Sequence, residues 1–408
     1  MSPAGPLPSP EPANPLWQQE AREQFPIVTA HPELAYLDSA ATSQKPRAVL
    51  EAVQTYLTTS NANAGRGAYP WANRTTELVE STRERVKEFL HDPEPGRSGV
   101  HFTSGTTEGL RTVARDWLVP YLTDGDEILV PYADHRANLD PWLEARRLLA
   151  ERGVDVRVQA LPYQAGSGDY DHLALGRAVG PRTRFVAATH VHHVYGGDMN
   201  VHRIREAVGP DVVICLDAAQ SVGHLPVHLD DPSLLDVDFV VFSGHKAMAL
   251  PGSGVVWARN ARGPVFRPEG WQGTPNTAGI VSLRAALDWL DMIGPERVEH
   301  WTTMLTTRLT DRLGRLGPYE IVGCQASLSA DSALPAEQRR RGIVTFRHRD
   351  IPSGDLGFIL FSHGFMVRAD NLCQAGSDGR DASVRVSLHV YNTVEEIDRL
   401  LAVLASLA

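Results

Sequence analysis

Five short runs along the chain are apolar almost without interruption: Glu127 to Pro131, Phe185 to Thr189, Val212 to Asp217, Phe239 to Phe242 and Gly254 to Trp257. A strand with one wet face alternates apolar and polar residues, whereas a strand covered on both faces does not. The pattern therefore predicts a parallel sheet with helices on both sides. Helical spacing over Pro46 to Leu57 and Thr107 to Tyr121 fits the same α/β architecture. From Ser282 the character changes. An amphipathic stretch through Leu283, Leu287 and Leu290, and onward from Arg297 to Leu316, predicts a bridge into a second, smaller domain. The last helix is announced by a capping box, Thr393 with Glu396, followed by Ile397, Leu400, Leu401 and Leu404 on one face. The expected organisation is a Pro-rich, disordered leader over 1–20, a large domain over 21–280 whose first residues can pack on the small domain, and a bridging helix with the small domain over 281–408.

Composition narrows the chemistry. The chain has 408 residues, 42% apolar and 22% charged, with a formal charge of -10 and no long basic run, which argues against a nucleic-acid partner and for a small-molecule substrate. The first fifteen residues hold six prolines and no basic residue, and no apolar stretch is long enough to span a bilayer. A cytoplasmic protein without a membrane partner is expected. The three cysteines, Cys215, Cys324 and Cys373, are widely spaced and odd in number, which suits reduced thiols.

In an open parallel sheet, ligands gather outside the carboxyl ends of the strands. Here those ends are strongly polar. "FTSGTTEGL", Phe102 to Leu110, sets small and hydroxyl residues before a helix, an arrangement whose free amides suit phosphate. After Val130 comes His135, after Leu216 come Asp217 and Gln220, and after Phe242 come Ser243, His245 and Lys246. Each alone has an ordinary explanation as a cap or a solvated charge. Together, a phosphate cradle, a flat imidazole, a carboxylate and an amine are the parts needed to hold pyridoxal 5'-phosphate, with the lysine condensing on its aldehyde and the carboxylate keeping its ring nitrogen protonated.

The sequence resembles the class V aminotransferase group of fold type I pyridoxal-phosphate enzymes, and specifically the group II cysteine desulfurases and selenocysteine lyases. The likeness runs from about Ala35 to the C-terminus through "YLDSAATSQKP", "GTTEGL", "HRANLDPW", "DAAQSVGHLPV", "FSGHK", "GTPNTAGI" and "VRVSLHVYNTVEEIDRL", in that order. It implies a mostly parallel large domain with a smaller α+β C-terminal domain. It also implies roles: Lys246 as the cofactor lysine and catalytic base, Asp217 at the ring nitrogen, Gln220 at the phenolic oxygen, and His135 stacked on the ring and moving protons. Thr106, Thr107, Ser243 and His245 match phosphate ligands, and Thr274 matches a residue that reaches the neighbouring subunit's cofactor, so a homodimer is implied. Arg385 matches the grip on the substrate carboxylate, with Arg368 nearby, and Cys373 matches the thiol that takes sulfur from the substrate before an acceptor protein receives it.

Departures from the family bear on the substrate. "VRADNLCQAG" keeps the arginine and the cysteine but lacks the glycine and histidines that usually precede that cysteine, and the stretch from Cys373 to Arg385 is short. His193 stands where relatives carry an asparagine beside the cofactor. His190, His192 and His193 lack a carboxylate or thiol at ligand spacing, so no metal is expected. "KAMALPG" alters the wall after the lysine, and only eighteen residues separate Gly254 from Gly273, where relatives carry a longer insertion. A substrate larger than cysteine, or a different fate for its carbanion, follows. Three readings stay open: a carbon-sulfur lyase on cysteine or an S-conjugated cysteine; a natural-product enzyme, similar to the lincosamide-pathway members, that couples decarboxylation to oxidative deamination; and a catalytically silent sulfur-relay scaffold.

Overall fold

The computed structural model describes residues 14–164, 168–231, 236–269, 274–323, 340–375 and 382–408. In chain order the strands are β1 (Ala35–Tyr36), β2 (Gly99–Thr103), β3 (Glu127–Val130), β4 (Arg157–Ala160), β5 (Thr183–Thr189), β6 (Val213–Asp217), β7 (Phe239–Ser243), β8 (Gly254–Ala258), β9 (Tyr319–Ile321), β10 (Ile343–His348), β11 (Phe365–Met366), β12 (Arg368–Asp370) and β13 (Ser383–Ser387). A seven-stranded sheet runs β2-β8-β7-β6-β5-β3-β4, parallel except where β8 pairs antiparallel with β7 and β2. All five apolar runs lie in it, and every residue of β6, β7 and β8 is buried. The two outermost strands, β2 and β4, have no such run. β4 is exposed at both ends and half-buried between them because it pairs only with β3, and an edge strand needs no continuous apolar cover.

The polar termini of the parallel strands then fall along one edge, where the site must lie. The turn after β2 is held there by close backbone packing: a Cβ on Gly254 would sit 2.5 Å from the Gly105 Cα. Only a residue without a side chain lets β8 support the Gly105 turn. Gly254→Ala should cost about 1–3 kcal/mol of stability, read by denaturant titration, because backbone must shift to admit one methyl group.

The amphipathic stretch expected as one bridge is two helices, Thr277–Ile293 and Pro295–Leu313, broken at Gly294 with φ +92°. The first is buried against the Arg47–Thr59 and Pro70–Phe89 helices of the large domain, and the second packs on the C-terminal helix Val394–Ser406. The expected boundary at 280/281 therefore falls inside a large-domain helix, and the chain changes domain at Gly294. The small domain is an antiparallel sheet, β12-β13-β10-β9, with β1 and β11 paired in parallel beside it. The capping box at Thr393 and Glu396 is present.

The leader expected over 1–20 is corrected at its end: Leu16–Glu23 is a helix. Its Gln18 side chain donates to the Val390 and Asn392 carbonyls at 2.8 and 3.1 Å, Arg22 pairs with Glu396 at 2.7 Å, and Trp17 sets its ring edge-on to Trp301. Residues 1–13 lie outside the described residues. Among those described, no helix is long and apolar enough to cross a membrane.

Candidate active site

At the carboxyl end of β6, Asp217 is buried, and its carboxylate accepts the Ala219 N–H at 2.9 Å. Burial raises its pKa, against the pull of that N–H and of Lys246. At the end of β7 the chain makes a 3-10 turn, Gly244–Lys246, which brings the amine to the same place. Burial lowers the Lys246 pKa to about 8; Asp217 opposes the shift, while Arg385 and Arg368 add to it. The result is an amine that is partly neutral near pH 7.5, as a base or nucleophile must be.

The turn carrying Lys246 is clamped from the 40s segment. The His245 carbonyl accepts the Ser43 N–H at 3.1 Å, the Thr42 and Ser43 hydroxyls at 3.1 and 3.2 Å, and the Lys45 ammonium at 3.3 Å. Ser43 Oγ in turn accepts the Met248 N–H at 2.8 Å. On the other side, Ser243 Oγ accepts the Thr106 N–H at 2.8 Å and shares a hydrogen bond with Thr106 Oγ1 at 2.8 Å. The turn before the Thr106–Val113 helix is thus fastened to the strand that ends at the lysine.

Beyond β3, His135 Nδ1 accepts the Ala137 N–H at 3.1 Å, which places the proton of the neutral ring on Nε2. Burial, then the charge of Lys246, lowers its pKa to about 4, so the ring is neutral at physiological pH. Beyond β5, His193 meets it edge-on, centroids 5.0 Å apart. Its Nε2 is buried without a protein partner, an orphaned polar atom of the kind a bound polar group satisfies. From the small domain, Arg385 on β13 is 1% exposed; it donates to the His193 carbonyl at 3.2 Å and pairs with Asp38 at 3.0 Å, while its Nε is buried and unpartnered. Gln220 is anchored, its Nε2 donating to the Ala40 carbonyl at 3.0 Å.

One cavity of about 250 Å³ gathers Thr106, Thr107, His135, His193, Asp217, Gln220, Ser243, His245, Lys246, Arg368 and Arg385 among its walls. A carboxylate, an amine, hydroxyl groups at a helix start and unsatisfied buried nitrogens fit a ring that carries a phosphate, a basic nitrogen and an oxygen substituent. Two expected residues lie elsewhere. Thr274 lines a separate surface cleft with Ser104, Glu108 and Arg115. Cys373 stands beside the cavity rather than in its wall: its Sγ accepts a hydrogen bond from Arg368 Nη2 at 3.3 Å, and it is Leu372 that faces in. Both Leu372 and Cys373 have φ near +56°, left-handed positions that cost side-chain-bearing residues energy and hold the segment in a bend. The shortened stretches expected after Cys373 and before Gly273 fall partly on 376–381 and 270–273, outside the described residues.

Sequence reasoning assigned no role to Asp38, Lys45 or Leu372. Asp38 and Lys45 lie inside "YLDSAATSQKP", but only the fold shows that this segment passes between Lys246 and Arg385. His192, buried and stacked on Tyr195, points Nε2 toward the Ala133 carbonyl at 3.2 Å and toward Asp134 at 3.5 Å. These contacts tie the loops after β3 and β5 together. The described residues bring three candidate metal ligands, His91, His228 and Asp230, together in one group at the surface.

Comparison with known proteins places this arrangement. The family model described as "Aminotransferase class-V" matches residues 35–269 and 267–400. A cysteine desulfurase of Cronobacter sakazakii is 32% identical over 94% of this chain and 96% of its own length, and cysteine desulfurase CsdA of Escherichia coli is 32% identical over 93% and 95%. Among solved structures, the apo cysteine desulfurase of Thermococcus onnurineus superposes with a TM-score of 0.82 at 26% identity, covering 97% of this chain and 99% of that one. The crystal structure of CsdA from Escherichia coli gives 0.78 at 28%, covering 96% and 98%. With this fold, this cavity and these likenesses, the chain belongs to the aminotransferase class-V family and is a pyridoxal-phosphate-dependent enzyme of fold type I.

Proposed function

We propose that the protein breaks the carbon-sulfur bond of cysteine or of an S-substituted cysteine, with Lys246 removing the α-proton. The observation that carries this reading is the meeting, in one buried cavity, of an amine whose pKa is lowered to about 8 and the guanidinium of Arg385. Bound pyridoxal phosphate supplies an electron-poor ring that takes up the charge left at the α-carbon. The chain does the rest. Thr106, Thr107, Ser243 and His245 hold the phosphate end, Asp217 provides the anion for the ring nitrogen, and His135 offers a neutral flat face that excludes water. Gln220 and the unsatisfied Nε2 of His193 suit the ring oxygen. Arg385, pinned by Asp38, presents a planar fork to the substrate carboxylate. Once the α-proton is gone, the sulfur leaves as a thiol, and one water completes the release of pyruvate and ammonia.

The relatives' names support cysteine as the substrate class. The thiol of Cys373 then divides two versions of the reaction. That elimination serves an S-substituted substrate, whereas with free cysteine the Cys373 thiolate attacks the substrate sulfur and the carbon-sulfur electron pair returns to carbon, which is protonated, so that a persulfide forms on Cys373 for an acceptor protein and alanine is released. Cys373→Ala should keep pyruvate release from an S-substituted cysteine within about twofold and, with dithiothreitol present to reduce the persulfide, should lower sulfide release from cysteine by at least ~10-fold. Equal losses on both substrates would remove the distinction. A homodimer belongs to the same reading, with Thr274 of each copy serving its neighbour's site. Sedimentation should find two copies at micromolar concentration, and a monomer there would exclude it.

A further inference from the structure

We propose that a second cavity, behind the 371–375 segment, binds the group carried on the substrate's sulfur, and that this group is a planar aromatic substituent without net charge. The inference rests on the lyase reading above for its substrate class. The second cavity has a volume of about 650 Å³, against about 250 Å³ for the one that must hold the cofactor. It lies between the ends of β3 and β4 and the small-domain sheet. Leu372 lines both cavities, and the adjacent residues His193 and Val194 face one each, so the two spaces stand back to back across a thin wall. A substituent too large for the space left beside the cofactor finds room past Leu372.

The backbone of this wall is held in place, so a route between the two spaces needs a turn of the Leu372 side chain alone. The Ala375 N–H donates to the Asp134 carbonyl at 2.8 Å, the Arg136 N–H donates to the Cys373 carbonyl at 3.2 Å, and the Leu372 N–H donates to Asp370 Oδ1 at 2.6 Å. Gln374 Nε2 reaches the Ala133 carbonyl at 3.0 Å and the Tyr195 hydroxyl at 2.7 Å. This segment presents Leu372, not Cys373, to the cofactor cavity, so an apolar side chain flanks the path from the reacting centre. Beyond it the lining changes in kind. Tyr132 and Tyr163 offer two rings, with Tyr195, one face of which is covered by His192, beside them, and Tyr132 is 40% exposed at the mouth. Rings prefer other rings in offset or edge-on contact, which selects a flat partner. Among the described residues, the charged groups that border the space are Glu320 and Arg347, of opposite sign, which favours neither sign on the guest.

Equilibrium binding to the holoenzyme separates this claim from the chemistry. The probes are S-(4-carbamoylbenzyl)-α-methyl-L-cysteine and S-methyl-α-methyl-L-cysteine, which have no α-proton and cannot undergo the elimination, and their recovery unchanged is checked after binding. The aromatic probe should bind at least ~10-fold more tightly, since one filled apolar pocket readily supplies that factor. Ala160→Trp, which places an indole in the second cavity from an exposed strand end, should bring the ratio below about threefold, and Tyr132→Ala should lower it as well. A ratio near one in the wild type, or a ratio unchanged by both variants, overturns the proposal. Pyruvate release from the corresponding α-protonated conjugates is read separately, so loss of the lyase reading is seen as absence of product while the binding ratio stands.

Discussion

Replacing Lys246 by alanine will lower carbon-sulfur cleavage by at least ~10³-fold, the range lost when a positioned proton-transfer group is removed, while the protein stays folded. The amine lines the cavity, and its removal from bulk water outweighs the favourable charge of Asp217 in setting its pKa near 8. Roughly a quarter of it is then neutral at pH 7.5, against about a thousandth for an ordinary lysine. No other side chain in the cavity can replace it. His135 and His245, both held near 4, are neutral but far weaker bases, and the Lys45 ammonium is engaged with Thr42, Ser43 and His245 backbone and hydroxyl oxygens. The fold should persist because truncation removes a buried cation rather than creating one. Pyruvate assays and circular dichroism check both halves, and a small primary amine added to the buffer should restore part of the rate. Retention of more than a tenth of wild-type turnover contradicts the assignment.

The apoprotein should lose stability steeply between pH 7 and 5. Nine histidines have pKa values lowered chiefly by burial: His101, His135, His172, His224 and His245 to about 4, His192 to about 3, and His190, His193 and His389 downward. Each is neutral in the folded chain but takes a proton in the unfolded chain below about pH 6.5. Stability is therefore present above that pH and drains away as pH falls toward each folded value, at about 1–2 kcal/mol by pH 5 for each of His135, His192 and His224. Two carboxyls act with the opposite sign. Asp134, pushed up to about 7 by burial against the hydrogen bonds from Tyr163 and Tyr170, and Asp217, also raised, are protonated more readily when folded and so gain stability on acidification. His135, His192 and His224 set against Asp134 leave a net loss of ~3 kcal/mol, which should lower the melting temperature by about 3–4 °C for a chain of this size. A melting temperature unchanged between pH 7 and 5 contradicts the buried, neutral state of these rings.

Much of the fold is legible in the hydrophobic pattern, and the exceptions have physical reasons. The interior strands read as continuous apolar runs because helices cover both faces. β2 and β4 did not, because an edge strand is free to carry polar residues such as Arg157 and Gln159. The break at Gly294 was hidden by a helical period that continues on either side of it, although the Gly294-Pro295 pair is a local stop and start signal. The leader ran too far because prolines through Pro15 end just where Leu16 begins a helix whose stability comes from Gln18, Trp17 and Arg22 meeting the far end of the chain.

The site divides in the same way. Asp217, Ser243 and Lys246 could be read from their positions at strand ends. Arg385 and Arg368 came from family likeness, since nothing local marks an arginine that crosses from the other domain. Asp38, Lys45 and Leu372 were missed because their importance is made only by tertiary contact: Asp38 pairs with Arg385 across 347 residues of chain. Cys373 shows the limit of motif transfer, since its position in the chain matches but the bend of its segment turns Leu372 to the cofactor cavity instead.

The chain contains three lysines, Lys45, Lys87 and Lys246. Lys45 also has a pKa lowered to about 8 by burial, but its amine is engaged with Thr42, Ser43 and the His245 carbonyl, so it is the attachment point that the account excludes. Borohydride reduction of the holoenzyme followed by peptide mapping tests the central claim directly. The pyridoxyl group should be found on the peptide that contains Lys246 and nowhere else; its recovery on Lys45 or Lys87, or on no lysine, would contradict the account.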